Sequence, residues 1–122
     1  MESWCKNLEL LIKSRTPIIW IVTKEEERLQ NILEKSSKKL NIKRFVLWDC
    51  VNGLRGALNE EGKFSNNPLG VLNWLREQNK ELSTNILLKD FYKFYEDPSI
   101  CRTIKELSYT LKSTNNNIFF SS

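Results

Sequence analysis

The stretch Asn85-Ile86-Leu87-Leu88-Lys89-Asp90-Phe91 is a short apolar run that ends in a carboxylate and an aromatic residue. Its apolar residues do not alternate with polar ones, which predicts a strand covered on both faces, as in the interior of a parallel sheet. Three other segments have a similar composition: Pro17–Thr23, Arg44–Cys50 and Asn117–Ser121. Helical patterns separate the four segments. The sequence therefore predicts a three-layer, Rossmann-like α/β domain with a mostly parallel sheet of at least four strands.

Stripes of apolar residues at helical spacing precede the first predicted strand and separate the others. The first stripe predicts a helix over about Glu2–Ser14. The second predicts a helix that starts at Thr23, where Thr23 and Glu26 fit a capping box, and reaches about Leu40. Two further helices are expected to start where a capping side chain precedes proline, at Asn67-Pro68 and Asp97-Pro98.

The segment Val51–Asn66 is rich in glycine and asparagine and is predicted to be a loop, with a short helical turn near Leu54–Leu58. Trp20 and Trp48 lie within predicted strands and are expected in the core. The final strand is also where the sequence stops, so we expect residues 1–122 to form a single domain belonging to the N-terminal part of a longer protein.

Composition excludes several classes of function. The chain has 122 residues, 40% hydrophobic and 28% charged, with a net charge of +4, which fits one small globular domain. It contains no histidine, which removes Ser-His-Asp and Cys-His catalysis and most zinc sites. Its three cysteines lack close spacing, so no metal site and no disulfide framework is expected. No apolar run reaches the length of a membrane span, so we expect no membrane partner.

Several segments together resemble one known family. They are Leu8–Arg15 with Pro17–Thr23, Glu25–Arg28, Val46–Asp49 with Gly53-Leu54, Asn67-Pro68-Leu69, Leu88–Phe91, and Leu111–Thr114 with Ile118–Ser121. The family is the AAA-type ATPase of chloroplast genomes and cyanobacteria, known as a hypothetical chloroplast reading frame. The similarity covers nearly the whole chain, but only the region N-terminal to that family's AAA module. It implies a location in the chloroplast stroma or the cyanobacterial cytoplasm.

The resemblance also implies a core with the topology of a P-loop ATPase. In such a core a glycine-rich phosphate loop follows the first strand, and a Walker-B carboxylate that holds Mg²⁺ ends a later one. Here Thr23–Arg28 contains no glycine and three carboxylates, which argues against ATP binding. Asp90 is in the Walker-B-like position and is the one candidate cofactor-binding residue, although Phe91 follows where a second acid is usual. ATP and Mg²⁺ are expected only for the full-length family, with no catalytic residue in this segment.

The expected function is therefore that of a non-catalytic N-terminal domain of an AAA-family ATPase. It would bind a protein partner or substrate, dock on the downstream AAA module, or associate with itself. The alternative is a regulatory nucleotide-binding domain that uses Asp90 and the strand ends.

Two groups of side chains are candidates for interaction. Tyr92, Phe94 and Tyr95 follow the Asn85–Phe91 strand and form either an exposed patch or part of the core. Lys35, Lys38 and Lys39, with Lys43 and Arg44, form the densest basic cluster. It lacks interleaved aromatics or a known nucleic-acid-binding module, so a solvated face is favoured over a nucleic-acid interface.

Overall fold

A computed structural model of the chain describes residues 18–57, 59–78, 83–94, 96–111 and 116–121. Its strands are β1 (Ile18–Ile21), β2 (Arg44–Asp49), β3 (Gly53–Arg55), β4 (Thr84–Leu88) and β5 (Asn116–Ser121). Its helices are α1 (Glu26–Lys39), α2 (Pro68–Arg76) and α3 (Pro98–Thr110), and a 3₁₀ turn covers Phe91–Phe94. The helix expected over Glu2–Ser14 lies outside the described residues.

The five strands form one mixed sheet in the order β1-β5-β4-β2-β3. Every pairing is parallel except that of β2 with β3. Strand β4 lies at the centre and all five of its residues are buried, which confirms the interior parallel strand predicted from its sequence. The alternation of strands and helices is that of an α/β domain. Strands β1 and β2 are separated by two others, whereas they are neighbours in the two commonest doubly wound orders.

Helices cover both faces of the sheet. Leu29 and Leu33 of α1 pack on one face against Leu87 and Phe119. Helices α2 and α3 pack on the other face, where their buried residues meet Val46, Trp48, Ile86, Leu88, Ile118 and Phe120. Alternate residues of β4 and β5 therefore belong to two separate apolar layers, which is why both strands read as continuous hydrophobic runs.

The two ends of the parallel strands define opposite edges of the domain. We call the side where these strands finish the carboxyl edge and the side where they start the amino edge. At the amino edge, amide and hydroxyl side chains connect β5, β4 and α1. Asn117 donates to Asn85 (2.9 Å), Asn85 donates to Ser37 (2.7 Å), and Ser37 donates to the Leu33 carbonyl (2.7 Å). Strand β5 begins at Asn116, one residue before the segment Asn117–Ser121 predicted as a strand.

The two predicted side-chain caps followed by proline are both present. Asn67 Oδ1 accepts from the Gly70 backbone N–H (2.9 Å) at the start of α2. Asp97 Oδ1 accepts from Ser99 and Ile100 (2.8 and 3.3 Å) at the start of α3. Each cap satisfies backbone N–H groups that have no partner within the helix.

The predicted capping box at Thr23 is wrong. Helix α1 starts at Glu26, its N-cap is Glu25, and Glu25 makes no side-chain capping bond. The Thr23 hydroxyl accepts instead from the Glu25 backbone N–H (3.0 Å), two residues on. Thr23 therefore closes a local turn before the helix, a common alternative for a threonine hydroxyl.

The segment Val51–Asn66 is largely turn and loop, as predicted, but it also contains a strand, and its described residues near Leu54 form no helical turn. Gly53–Arg55 form β3, which pairs antiparallel with the last residues of β2. The chain then folds back on β3, because Leu54 and Lys63 are joined by a backbone hydrogen bond of 2.9 Å and Gly62 donates to Leu54 (2.8 Å). The outer edge of β3 is therefore covered by its own loop.

The two tryptophans differ in their environments. Trp48 is fully buried, as predicted. The placement of Trp20 in the core is wrong, because 44% of its surface is exposed. Trp20 lies on β1, at the end of the described sheet, and stacks on Phe120 with ring centroids 4.1 Å apart. One face of its ring is covered by the neighbouring strand.

Candidate functional site

The carboxyl edge contains a hollow of about 430 Å³ between α1 and the ends of β2 and β4. Strand β2 supplies Asp49 and the following turn, the turn after β4 supplies Lys89 and Asp90, and the first turn of α1 supplies Glu26. These residues come from distant parts of the sequence and meet because parallel strands finish at the same edge. Ligands of open α/β sheets bind at this edge, so the hollow is the candidate site.

Asp49 organises the turn after β2. Its carboxylate accepts from the backbone N–H groups of Val51 (3.0 Å) and Asn52 (2.7 Å), from the Asn52 amide, and from Arg55 (3.1 Å). Partial burial raises the pKa of the Asp49 carboxyl, but the hydrogen bonds and the Arg55 charge outweigh it and hold the pKa below its ordinary value of 3.8. Its oxygens are already occupied, so Asp49 shapes the hollow and is poorly placed to bind a ligand.

We predict that the ionised carboxylate of Asp49 stabilises the fold at neutral pH and that this stabilisation is lost in acid. A folded-state pKa below the unfolded one contributes stability above the ordinary value near 3.8, and this stability is lost as pH falls through the lowered pKa. Asp49→Asn removes the charge, so its stability is expected to fall less steeply than that of the wild type below about pH 5. Urea denaturation across this range measures both slopes. Identical slopes would contradict the assignment.

Asp90 lies just after β4 and lines the hollow at the carboxyl edge. It is exposed and its backbone φ is +53°, in the left-handed region that asparagine and aspartate tolerate better than other non-glycine residues. Within the residues that the structure describes, its carboxylate makes no hydrogen bond or ion pair. The neighbouring Lys89 donates to Gln30 of α1 (2.9 Å) and not to Asp90. Phe91, in the position usual for a second acid, is fully buried.

The turn after β1 is where the resemblance to a P-loop ATPase implies a phosphate loop, and in this chain it is rich in carboxylates. A broad, open hollow lined by Thr23–Arg28 lies there. Glu25 is partly neutralised by Arg28 (3.5 Å), while Glu26 and Glu27 lie in the first helical turn. Carboxylates at a helix N-terminus are favoured by the helix dipole and occupy the place where a phosphate would bind.

The other candidate residues lie in two places. Phe94 is half-buried and packs edge-on against Trp48 (centroids 6.2 Å apart) and Phe91 (5.5 Å), so this aromatic folds back over the core. The backbone of Tyr92 lies in the same 3₁₀ turn, and Tyr95 lies outside the described residues. Lys35, Lys38 and Lys39 are exposed on α1 towards the amino edge, on the opposite side of the domain from the hollow.

Four residues important to this edge were not singled out from the sequence. They are Val22, Asp49, Val51 and Asn52. The turn residues carry a signal, because Asn52-Gly53 after an aromatic strand is a typical hairpin turn. Val22 is 88% exposed and Val51 is 79% exposed, and nothing in the apolar pattern distinguishes them from buried strand residues.

Neither a metal centre nor a membrane span is found among the described residues. No group of three or more cysteine, aspartate or glutamate side chains there has a metal-binding arrangement, although Glu26 and Asp90 line one hollow. No helix in the same part of the chain combines the length and apolar character needed to cross a bilayer.

The fold is that of an α/β domain with a five-stranded, mostly parallel sheet, and the turn Thr23–Arg28 after its first strand contains no glycine. Residues 4–122 match the family model described as SpoVK-like AAA ATPase, N-terminal domain. The chain belongs to this family, which confirms the resemblance identified from its motifs. No solved structure gives a significant match.

The chain is also similar to proteins described as uncharacterized AAA domain-containing protein ycf46. The protein from Trieres chinensis is 42% identical over 107 residues, which cover 87% of this chain and 21% of that relative. The protein from Gracilaria tenuistipitata var. liui is 35% identical over 120 residues, covering 98% and 24%. The protein from Guillardia theta is 32% identical over 116 residues, covering 95% and 23%. The chain thus spans less than a quarter of the length of these relatives.

Proposed function

We propose that this chain is a non-catalytic N-terminal domain of an AAA-family ATPase. It acts in binding a protein partner or substrate, in docking on the ATPase module, or in self-association. The observation that carries the proposal is the chemistry of Thr23–Arg28 after β1. A site for nucleotide phosphates needs backbone N–H groups exposed by glycines, and this turn has three glutamates and no glycine.

The residues present do not fit Mg²⁺ and ATP. In a P-loop protein the metal is held between a phosphate loop and the acidic strand end. Here Asp90 has no phosphate loop opposite it, and Phe91 is buried in the aromatic cluster of the core. We therefore assign ATP and Mg²⁺ to the ATPase module of the full-length protein and derive no catalytic step in this domain.

The alternative is a regulatory nucleotide-binding domain. The observation that favours it is the hollow at the carboxyl edge, where Lys89 and Lys93 lie beside Asp90. Lysine ammonium groups can bind phosphate as point charges. Against this reading, Glu26 and Asp49 line the same hollow, and Lys89 already bonds to Gln30.

A nucleotide titration tests the two readings. We expect no saturable change in tryptophan fluorescence or heat on adding MgATP or MgADP up to millimolar concentration, because the phosphate position is acidic. Trp48 reports on the hollow through its contact with Phe94. Micromolar binding that is lost in Asp90→Asn would overturn the proposal. This variant removes the charge while keeping a side chain that tolerates positive φ, so a loss would not reflect backbone strain.

The proposal also covers the location of the domain, the class of its partner and its extent in the sequence. The similarity to ycf46 proteins supports a chloroplast stroma or a cyanobacterial cytoplasm. A protein partner is favoured over nucleic acid, because the lysines of α1 lie near its C-terminus, where cations are favoured without any ligand. Residues 1–122 are proposed to act as one domain, joined in the full-length protein to an ATPase module.

A further inference from the structure

Arg44 carries a charge that no carboxylate among the described residues neutralises. It is the first residue of β2 and lies half-buried at the amino edge. Its Nε–H donates to the Thr84 hydroxyl (3.0 Å), and its Nη2 donates to the side-chain oxygen of Gln78 (3.0 Å). Both acceptors are uncharged, and a partly buried charge is costly when it has no partner of opposite sign. An anion at this position would therefore stabilise the guanidinium.

The same bonds hold the Arg44 guanidinium in one orientation. Gln78 is fixed in turn, because its side-chain Nε2 donates to the Trp74 carbonyl (3.0 Å) near the end of α2. The guanidinium has further N–H donors, and none of them has an acceptor within the described part of the chain. A planar fork that is already oriented binds both oxygens of a carboxylate with little further loss of side-chain freedom. Arg44 is thus suited to anchor an acidic group.

Three exposed lysines extend the positive charge along the amino edge. Lys35 and Lys38 lie near the end of α1, and Lys43 immediately precedes β2. The side chains of all three make no hydrogen bond or ion pair with any residue that the structure describes. Lys39 already makes an interaction within the chain, so it does not belong to this surface. We call Lys35, Lys38, Lys43 and Arg44 the amino-edge cations.

The backbone alone closes the end of α1, so its last carbonyls do not need these lysines. Asn41 has φ +59°, and its N–H donates to the Lys38 carbonyl (3.2 Å), while the Ile42 N–H donates to the Ser37 carbonyl (2.8 Å). This is the pattern of a Schellman motif. The helix dipole still favours cations in the last turn of α1, but it does not account for Lys43, which lies outside the helix.

The charges at the amino edge are positive in sum among the residues that the structure describes. Glu34, one turn before Lys38, and Glu77, at the end of α2, are exposed and make no ion pair there. Arg76 pairs with Glu106 of α3 (3.2 Å), so these two charges cancel. The amino-edge cations therefore exceed the unpaired carboxylates. Such a surface complements an acidic partner and would repel a basic one.

We propose that the amino-edge cations bind an acidic segment of a protein partner, with Arg44 holding one carboxylate and the lysines pairing with its neighbours. The inference rests on the proposed function and names a surface and a partner chemistry for it. An acidic protein is favoured over nucleic acid because neither α1 nor β2 has an exposed aromatic side chain on which a base could stack. Glu34 and Glu77 would also repel the continuous charge of a phosphate backbone.

The test is fluorescence anisotropy of a fluorescein-labelled poly-glutamate peptide titrated with the 122-residue chain. We expect saturable binding at low salt that is lost at high salt, because the Debye length falls from about 30 Å at 0.01 M to about 3 Å at 1 M. A poly-lysine peptide of the same length is expected not to bind. Absence of glutamate-peptide binding at low salt overturns the inference.

A double charge reversal tests the surface against net charge. Lys38→Glu with Lys43→Glu is expected to weaken binding about tenfold, because two attractions become repulsions. Lys24→Glu with Lys105→Glu makes the same change of net charge in the turn after β1 and on α3, at exposed side chains. We expect this control to weaken binding much less. Equal losses would assign the binding to net charge and overturn the inference, provided that circular dichroism melting shows both variants folded.

Arg44→Lys tests the anchor without changing the net charge. Lysine can keep a bond to Thr84 but lacks the planar fork, so we expect binding of the glutamate peptide to weaken several-fold. Unchanged affinity overturns the assignment of Arg44 as the anchor. If this variant does not fold, the lysine reversals decide the surface on their own.

A duplex oligonucleotide of the same total charge tests the class of partner. We expect it to bind more weakly than the glutamate peptide. Tighter binding of the oligonucleotide, with the same loss in Lys38→Glu with Lys43→Glu, overturns the assignment to an acidic protein. The proposed function is judged separately, since micromolar binding of MgATP would contradict it whatever the peptide does, and a silent nucleotide titration leaves it standing even if no peptide binds.

Discussion

Trp48→Ala is expected to lower the free energy of unfolding by about 3–5 kcal/mol, the range for removing a large buried aromatic side chain. Trp48 is fully buried, and its rings meet Phe91 (centroids 5.6 Å apart) and Phe94 (6.2 Å). Its Nε1–H donates to the Phe64 carbonyl (3.0 Å), so it also ties the loop after β3 to the sheet. Urea denaturation followed by far-ultraviolet circular dichroism measures the change.

A matched control exists because the chain has a second strand tryptophan in a different environment. Trp20→Ala removes the same side chain from a position that is 44% exposed, and we expect less than half the effect of Trp48→Ala. Equal losses at the two positions would contradict the assignment of Trp48 to the core. Small domains are marginally stable, so Trp48→Ala can abolish folding altogether. Trp48→Phe keeps most of the packing while losing the bond to Phe64, and its expected loss of about 1–3 kcal/mol stays measurable.

The elements that could be predicted from the sequence are those marked by an uninterrupted apolar run or by a short motif at a helix start. An uninterrupted apolar run made β4 recognisable as a strand with both faces covered. Asn67-Pro68 and Asp97-Pro98 marked helix starts because the cap and the proline act within one turn. These features depend on neighbouring residues alone, so tertiary structure did not alter them.

Tertiary structure determined the elements that were missed. The position of Trp20 depends on which strand lies at the end of the sheet, and strand order is not encoded in the composition of β1. Thr23 has the residues of a capping box, yet its hydroxyl bonds to Glu25 and the helix starts later. Strand β3 is hard to recognise from the sequence because glycine and asparagine also indicate a loop, although Asn52-Gly53 is typical of a hairpin.

The candidate site was predictable in outline only. Asp90 could be placed at the end of a central strand, because the strand itself was recognised. The hollow around it depends on α1 and β2 meeting at the same edge, a consequence of parallel pairing across distant segments. The exposure of Val22 and Val51 could not be read from the sequence, since valine is equally compatible with a buried strand.

Gly53→Ala is expected to lower the free energy of unfolding by about 2–5 kcal/mol, because backbone strain and a steric clash combine at this residue. Gly53 has φ +71°, where an L side chain costs about 1–2 kcal/mol. A Cβ there would also lie 2.5 Å from the Lys63 carbonyl oxygen and 2.6 Å from that of Gly62. Both atoms belong to backbone held by hydrogen bonds to Leu54, so the clash cannot be relieved without opening the loop.

Gly62→Ala is the matched control for this substitution. Gly62 has a similar φ of +77°, but a Cβ there meets no atom within 4 Å. It therefore has the conformational cost of about 1–2 kcal/mol without the clash. We expect urea denaturation to show that Gly53→Ala is clearly less stable than Gly62→Ala. We expect hydrogen exchange of the Leu54 and Gly62 amides to become faster in Gly53→Ala only. Equal effects of the two substitutions would mean that β3 is not held against its loop.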